Sequence, residues 1–356
     1  MSEKKDTSRR SFIKKTALAG LATSMPFGII KSANLNEEII GHGDFRYRVE
    51  KGWGDLDRNK TPVNNCHEMV MDSQGRLIMV TDHAKNNVII YDKSGKLIDS
   101  WTLGFKGTHG LSIHNEGGED YLYITDPGAG KVAKTTTNGR IVLTLDSPHK
   151  IGEYGQYNPF RPTETAVGPN GDIYVADGYG SQYILQYSSK GEFIRKFGGD
   201  SFLQPSKFKQ AHGVALDTRD TDNPTLICSA RIKNQFKRFS LDGEFIEDYY
   251  LPGAFISRPV FDGDNLYSGV CFGMTNENYN MQLNLGFVTI LDKNNKVVSN
   301  PGGTKPVYKA NGKLEMMRQD KPIFKHCHDV CVDNDKNLYV CQWNANKLYP
   351  YKLYRV

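Results

Sequence analysis

The residues best suited to chemistry in this chain are histidines, and the segments that carry them look alike. HGLSI begins at His109 and HGVAL at His212, while KHCHDVCVD, residues 325–333, places His328 before an aspartate and an apolar alternation. Neutral imidazole is a common ligand for zinc and for other first-row metals. Three of them on one ion leave coordination positions for water and substrate. An ion so held can polarise a bound oxygen. His109, His212 and His328 are the candidate ligands. His67, which opens HEMVM, is a fourth histidine of the same kind and reads as an outer or substrate-facing group. His326, two positions before His328, is a further candidate at the mouth of such a site.

Histidines so far apart in sequence can meet only if the chain folds as a repeat, and a repeat is present. Copies begin at His67, His109, Thr163, His212, near Arg258 and at His328. Each reads as a short strand, a turn, a strand of the LYV or IYV type, a third strand, then S-G or D-G and a fourth. Four antiparallel strands recurring at roughly 40–50 residues mark a propeller blade. The sequence therefore predicts an all-β fold, a six-bladed β-propeller with four antiparallel strands per blade. The sixth copy ends after its third strand, and FRYRVEK, from Phe45, is a spare strand near the N-terminus. It is predicted to complete the last blade and close the ring, which removes the sheet edges. The first strand of each blade lines the central channel, so the copies fix one register position on each. Histidine fills it in four of six, among nine histidines in all. His109, His212 and His328 come from alternate blades, about 120° apart around a six-bladed ring. The plainer alternative is that each histidine bonds the backbone of the neighbouring blade. His42, His83, His114 and His149 fall outside the register and read as surface residues.

The first 33 residues read as an export leader. SRRSFIK at residues 8–14 is followed by TALAGLATSMPFGII, a basic segment with paired arginines and then an apolar run too short to span a bilayer. This predicts a twin-arginine signal, the twin-arginine translocase as export partner, and a periplasmic or secreted product with no stable membrane span after processing. Residues 34–356 would form one propeller domain. The totals are 45 basic and 40 acidic residues; without the seven basic and two acidic ones of the leader, 38 of each remain. A chain so balanced is a poor partner for nucleic acid. The six cysteines have no CxxC spacing and read as small buried residues, with at most one disulfide.

The same motifs resemble a known family. The repeat looks like the NHL class of propellers and is similar to the lyase domain that cleaves peptidyl-α-hydroxyglycine to a peptide amide and glyoxylate. HGLSI, HGVAL and HDV match the segments supplying that family's zinc ligands. DGY at 177–179 matches the stretch with its catalytic tyrosine, here Tyr179, and LICSARIKNQFKRF aligns with the stretch carrying a substrate-binding arginine, here Arg231. The resemblance implies Zn²⁺ (or iron or manganese) on His109, His212 and His328. It makes Tyr179 the catalytic tyrosine, whose pKa the charge of a bound cation would lower so that it acts as general base, and gives Arg231 the substrate carboxylate. It also implies a structural Ca²⁺ on the main chain of Leu111 and on Asp329. His67 stands roughly where the family has a second arginine, and His326 where it has a methionine. A carbon–nitrogen lyase acting on a peptide or small molecule follows. Two other readings remain open: a metal-dependent eliminase acting on a sugar or keto-sugar, with His67 moving protons, and a non-catalytic propeller that binds protein or glycan.

Overall fold

The computed structural model describes residues 38–356; the leader lies outside them. Its described strands form six antiparallel sheets, one per sequence copy, arranged as a β-propeller. Blades are numbered from the copy at His67. The innermost strands are Cys66–Met71, Leu111–Glu116, Glu164–Val167, Ala211–Asp217 and Cys327–Val332. In blade five the strand is broken into Phe255–Ile256 and Val260–Asp262. Pro259 lies in that gap, and a proline cannot donate to the ladder.

The apolar pattern explains the stacking. Second strands such as Leu77–Thr81, Ile173–Ala176 and Leu338–Gln342 are buried along their whole length, because both faces meet neighbouring blades. Outer strands such as Leu97–Trp101 and Phe245–Tyr250 are largely exposed. The main core is accordingly divided into layers between consecutive blades. One joins Ile78 and Val80 to Leu122 and Ile124, and another joins Leu77 and Met79 to Tyr339. Each fully buried Val, Leu, Ile or Phe contributes about 1.5–3 kcal/mol. The ring therefore stands on these layers, and polar groups on the axis are free to serve other ends.

Closure is as the sequence predicts. Phe45–Glu50 pairs antiparallel with Tyr351–Arg355 and completes the sixth blade. A further strand, Ile39–His42, pairs outside it. The first blade meets the sixth through a core shared by Cys66, Met69, Cys331 and Cys341. All six cysteines are buried and free, and Cys331 packs between blades.

The inner strands do not alternate strictly. In blade six the pairing slips between Cys327 and Asp329, and in blade one between Cys66 and Glu68. His328 and His67 are the extra residues of these bulges. Blade four has a bulge between Ala211 and Val214, which brackets His212. In blade two, His109 N–H donates to Thr125 O while Gly110 O accepts from Thr125 N–H, the same irregularity. Bulges re-aim side chains. In blades one and six they let the histidine and the acid after it both reach the axis, which strict alternation forbids. Alternation alone would put His328 and Asp329 of KHCHDVCVD on opposite faces; the bulge brings both to the axis.

Candidate metal centre

Each register histidine is set by the strand that carries it and by the backbone of the next blade. Gly110 and Gly213 follow His109 and His212, and a Cβ there would overlap Thr163 O and the Arg258 backbone, respectively. The histidine–glycine pairs thus reflect close approach of neighbouring inner strands. Around the ring the register residues are His67, His109, Thr163, His212, Ser257 and His328. The structure places Ser257 where the fifth copy was unreadable.

The four histidines are buried, and each ring contacts both His109 and His328 or is one of that pair. Ring centroids are 4.7 Å apart for His109–His328, 4.8 Å for His67 with each of these, and 4.9 and 5.1 Å for His212 with His109 and His328. Two triangles therefore share the His109–His328 edge. Ligand atoms of His67, His109 and His328 lie within 4.8 Å of one another and could hold a metal ion. His212 forms the second triangle and approaches Tyr179, whose hydroxyl lies 3.1 Å from His212 Nε2 and 3.1 Å from His109 Nε2.

Proton positions follow from the acceptors. His109 Nδ1 lies 2.9 Å from Thr163 O and His328 Nδ1 3.0 Å from His67 O. A carbonyl only accepts, so both rings carry their proton on Nδ1. Their bare Nε2 atoms then face each other at 3.1 Å. Two lone pairs at that distance repel unless a cation lies between them. Tyr179 has one proton and can donate it to only one of the two imidazoles it faces. Burial pushes His109, His212 and His328 well below the ordinary imidazole range, so they are neutral, as ligands must be. Outward Nδ1–H bonds to carbonyls are the usual support of a metal-bound imidazole. The donor set therefore fits a borderline ion such as Zn²⁺.

Tyr179 sits in the turn after Ile173–Ala176. That turn is anchored by Asp177, whose carboxylate accepts from Arg161 N–H, Ser181 N–H and Tyr154 Oη at 2.6, 2.7 and 2.8 Å. Burial pushes the Tyr179 phenol up, with the Arg231 charge acting against it. The protein's own groups thus hold it above its usual range; the lowering expected above belongs to a bound cation. A nearby bound cation acts in the opposite direction. Arg231 follows the strand Thr225–Ala230 and is 2% exposed. Its Nε donates to Ile256 O and its Nη2 to Ser257 Oγ, each at 2.9 Å. Among the described residues no carboxylate pairs with it.

His67 Nε2 lies 3.6 Å from Asp82 Oδ2, while its Nδ1 is buried without a partner. Burial raises the Asp82 carboxyl, but its contact with His67 and the hydrogen bonds from Asn65 outweigh it and leave it below its ordinary value. His326 is not free at the mouth. Its Nδ1 donates to Trp343 O at 3.1 Å and its Nε2 accepts from Asn284 N–H at 3.0 Å. Of the out-of-register histidines only His149 is exposed; His42, His83 and His114 are half-buried, and none joins the cluster.

A charged layer adjoins the histidines, made by residues one position later in the chain: Glu68, Glu164, Arg258 and Asp329. Arg258 Nε and Nη2 bind both oxygens of Asp329 at 2.7 and 2.9 Å, and its Nη1 and Nη2 donate to Leu111 O and Met69 O at 2.7 and 2.9 Å. The guanidinium thus takes the Leu111 carbonyl and Asp329 carboxylate expected to hold Ca²⁺. These residues do not fit that ion, and the expectation is corrected. Sequence reasoning missed this layer, although an acid directly after the register residue in blades one, three and six was a readable signal.

No family model matches the chain. Peptidyl-α-hydroxyglycine α-amidating lyase 1 of Drosophila melanogaster is 35% identical over 357 residues, covering 93% of this chain and 58% of that protein. A probable peptidyl-α-hydroxyglycine α-amidating lyase of Caenorhabditis elegans is 34% identical over 151 residues, 42% of this chain and 41% of its own. The chain's relatives include amidating lyases. They also include NHL repeat-containing protein 3 of Homo sapiens, 28% identical over 182 residues, 48% of this chain and 51% of that one. The chain spans about half the length of these curated relatives. The resemblance drawn from short motifs is borne out. Among solved structures, a streptogramin B lyase aligns with a TM-score of 0.55 at 15% identity, over 86% of this chain and 97% of its own, a likeness of fold alone.

Proposed function

We propose that the protein is an exported, metal-dependent lyase similar to the enzymes that release glyoxylate from peptidyl-α-hydroxyglycine. The observation that carries this reading is the bare Nε2 pair of His109 and His328, with the Tyr179 hydroxyl against His109 and His212. His109, His212 and His328 would hold the ion, with His67 beside them. Zn²⁺ there, or iron or manganese on the same donors, would polarise an oxygen of the substrate.

The protein's own groups supply the rest. The Arg231 guanidinium, buried and paired with no carboxylate among the described residues, is suited to a substrate carboxylate through its planar fork. The reaction breaks the bond between the hydroxyl-bearing carbon and the amide nitrogen. The hydroxyl proton leaves, the nitrogen gains a proton, and the products are an amide and glyoxylate. Tyr179 Oη, within 3.1 Å of two imidazole nitrogens, would carry that proton. The paired arginines of residues 9–10 support export through the twin-arginine translocase, and residues 34–356 would be the mature domain. Among the described residues no helix is long and apolar enough to cross a membrane.

One observation favours a second reading. His67 and Asp82, 3.6 Å apart, are titratable groups that this cleavage does not require, whereas elimination from a sugar or keto-sugar would use them to move a proton. Two assays decide. Protein purified without a histidine tag should carry near-stoichiometric metal, lost in a triple His109, His212, His328→Ala variant. It should release glyoxylate from α-hydroxyhippurate. Turnover of an oxidised sugar without glyoxylate release would move the assignment to the eliminase. Folded protein free of metal would leave a binding module.

A further inference from the structure

The charged layer on the axis has a chemistry separate from that of the histidines. Arg258 comes from blade five and reaches Met69 O of blade one, Leu111 O of blade two and both oxygens of Asp329 of blade six. Glu68 Oε2 and Glu164 Oε2 lie 3.8 and 3.9 Å from its Nε, which brings in blade three as well. Arg258 is 7% exposed, so these contacts act with little screening by water.

The partners are themselves fixed. Leu111 N–H donates to Glu68 Oε2 at 2.6 Å, Thr165 N–H to Glu164 Oε1 at 2.8 Å and Met69 N–H to Asp329 Oδ2 at 2.9 Å. Glu68 Oε1 and Glu164 Oε2 are buried with no hydrogen-bond partner among the described residues. Two carbonyls and three carboxyl groups around one point are the oxygen set that a hard divalent ion takes. Here a side chain fills the point. Four of the five donors of the guanidinium are used, and its geometry matches Asp329 in the two-pronged manner that only arginine offers.

We propose that Arg258 is a built-in cation that makes the centre of the ring independent of a divalent ion, and that its removal would turn the same oxygens into a calcium-binding site. The inference does not depend on the lyase reading, since it concerns the closure of the ring.

Thermal unfolding tests it, in calcium-free buffer holding micromolar Zn²⁺ so that the histidine site stays loaded, with and without about 5 mM CaCl₂, above the dissociation constants of weak protein sites. The wild-type protein should contain no calcium by elemental analysis, and its Tm should move by less than about 1 °C. Arg258→Ala should melt lower without calcium and gain about 5 °C or more with it. Arg258→Lys, which keeps a cation, should stay indifferent to calcium. Near-stoichiometric calcium in the wild-type protein, with a Tm that falls on its removal, would overturn the proposal. So would an Arg258→Ala variant that folds and ignores calcium. If Arg258→Ala does not fold, the wild-type calcium content and melting decide alone.

Discussion

Replacing Arg231 with methionine separates a substrate-binding role from a structural one. The guanidinium is 2% exposed, its centre lies 5.8 Å from the Phe272 ring centroid, and it makes two hydrogen bonds, to Ile256 O and Ser257 Oγ. Bringing such a charge out of water costs several kcal/mol even after relaxation, roughly what two hydrogen bonds from a charged donor return at about 1.5–3 kcal/mol each. With no carboxylate partner among the described residues, little Coulombic gain is added. Arg231→Met, which keeps most of the volume, should therefore change unfolding free energy by less than about 2 kcal/mol, against about 3–5 kcal/mol for one partner of a buried ion pair. Binding should respond differently. Losing the group that meets a buried carboxylate costs about 2–5 kcal/mol, or roughly 30- to 5,000-fold in kcat/KM. The assay compares α-hydroxyhippurate with its uncharged carboxamide, in parallel with denaturant unfolding. The variant should lose its preference for the carboxylate, mainly through KM. A loss of stability above about 3 kcal/mol, with equal loss of activity on both substrates, would make Arg231 a structural residue.

Three further outcomes follow from the site. Because His109 and His328 belong to both triangles, His109→Ala or His328→Ala should weaken metal binding beyond the roughly 10–100-fold typical of losing a ligand's outer hydrogen bond; whichever of His67→Ala and His212→Ala costs more identifies the triangle that holds the ion, by metal content after dialysis. Tyr179→Phe keeps the ring and removes the proton carrier, so glyoxylate release should fall about 10²–10⁴-fold with metal content unchanged. Burial pushes the Asp177 carboxyl up to about 6 from 3.8, so the folded state binds this proton more tightly than the unfolded one. Its contribution is most favourable below the unfolded value and declines as pH rises through the folded one, by at most about 3 kcal/mol. The difference in stability between wild type and Asp177→Asn, measured from pH 4 to 8, should fall in that window, and a flat difference would refute the assignment.

What could be read from the residues was whatever the repeat imposes. Propeller blades share one register, so aligned copies placed His67, His109, His212 and His328 together and set the N-terminal strand against the unfinished sixth blade. Strand alternation was a poorer guide, since a bulge at the start of the inner strand is invisible in a period of two. It put His328 and Asp329 on opposite faces, whereas both reach the channel. Blade five was obscured for a different reason: Pro259 breaks its inner strand, so the copy lost its pattern where Ser257 and Arg258 stand. His326 shows the limit of residue type, because its nitrogens are taken by Trp343 and Asn284, and no spacing rule announces a partner so distant in sequence.

The two layers also explain one another. A divalent ion on neutral imidazoles leaves its full charge near the axis, and a second divalent ion one residue further along would repel it in a poorly screened interior. An arginine in that place carries half the charge of a calcium ion, and the Asp329 carboxylate offsets it in a two-pronged contact. Set against both Asp329 and Glu164, the single arginine charge leaves the layer slightly negative, which favours a cation on the histidines without competing with it. On this argument Arg258→Ala has a second signature that a purely structural arginine would lack. In calcium-free buffer the carboxylates it exposes should attract a cation on the histidines, and Zn²⁺ affinity should rise; added calcium should then lower it again. Metal affinity measured by competition with a chromogenic chelator reads this directly, and an affinity that ignores calcium in a folded variant would show that the two layers are electrostatically independent.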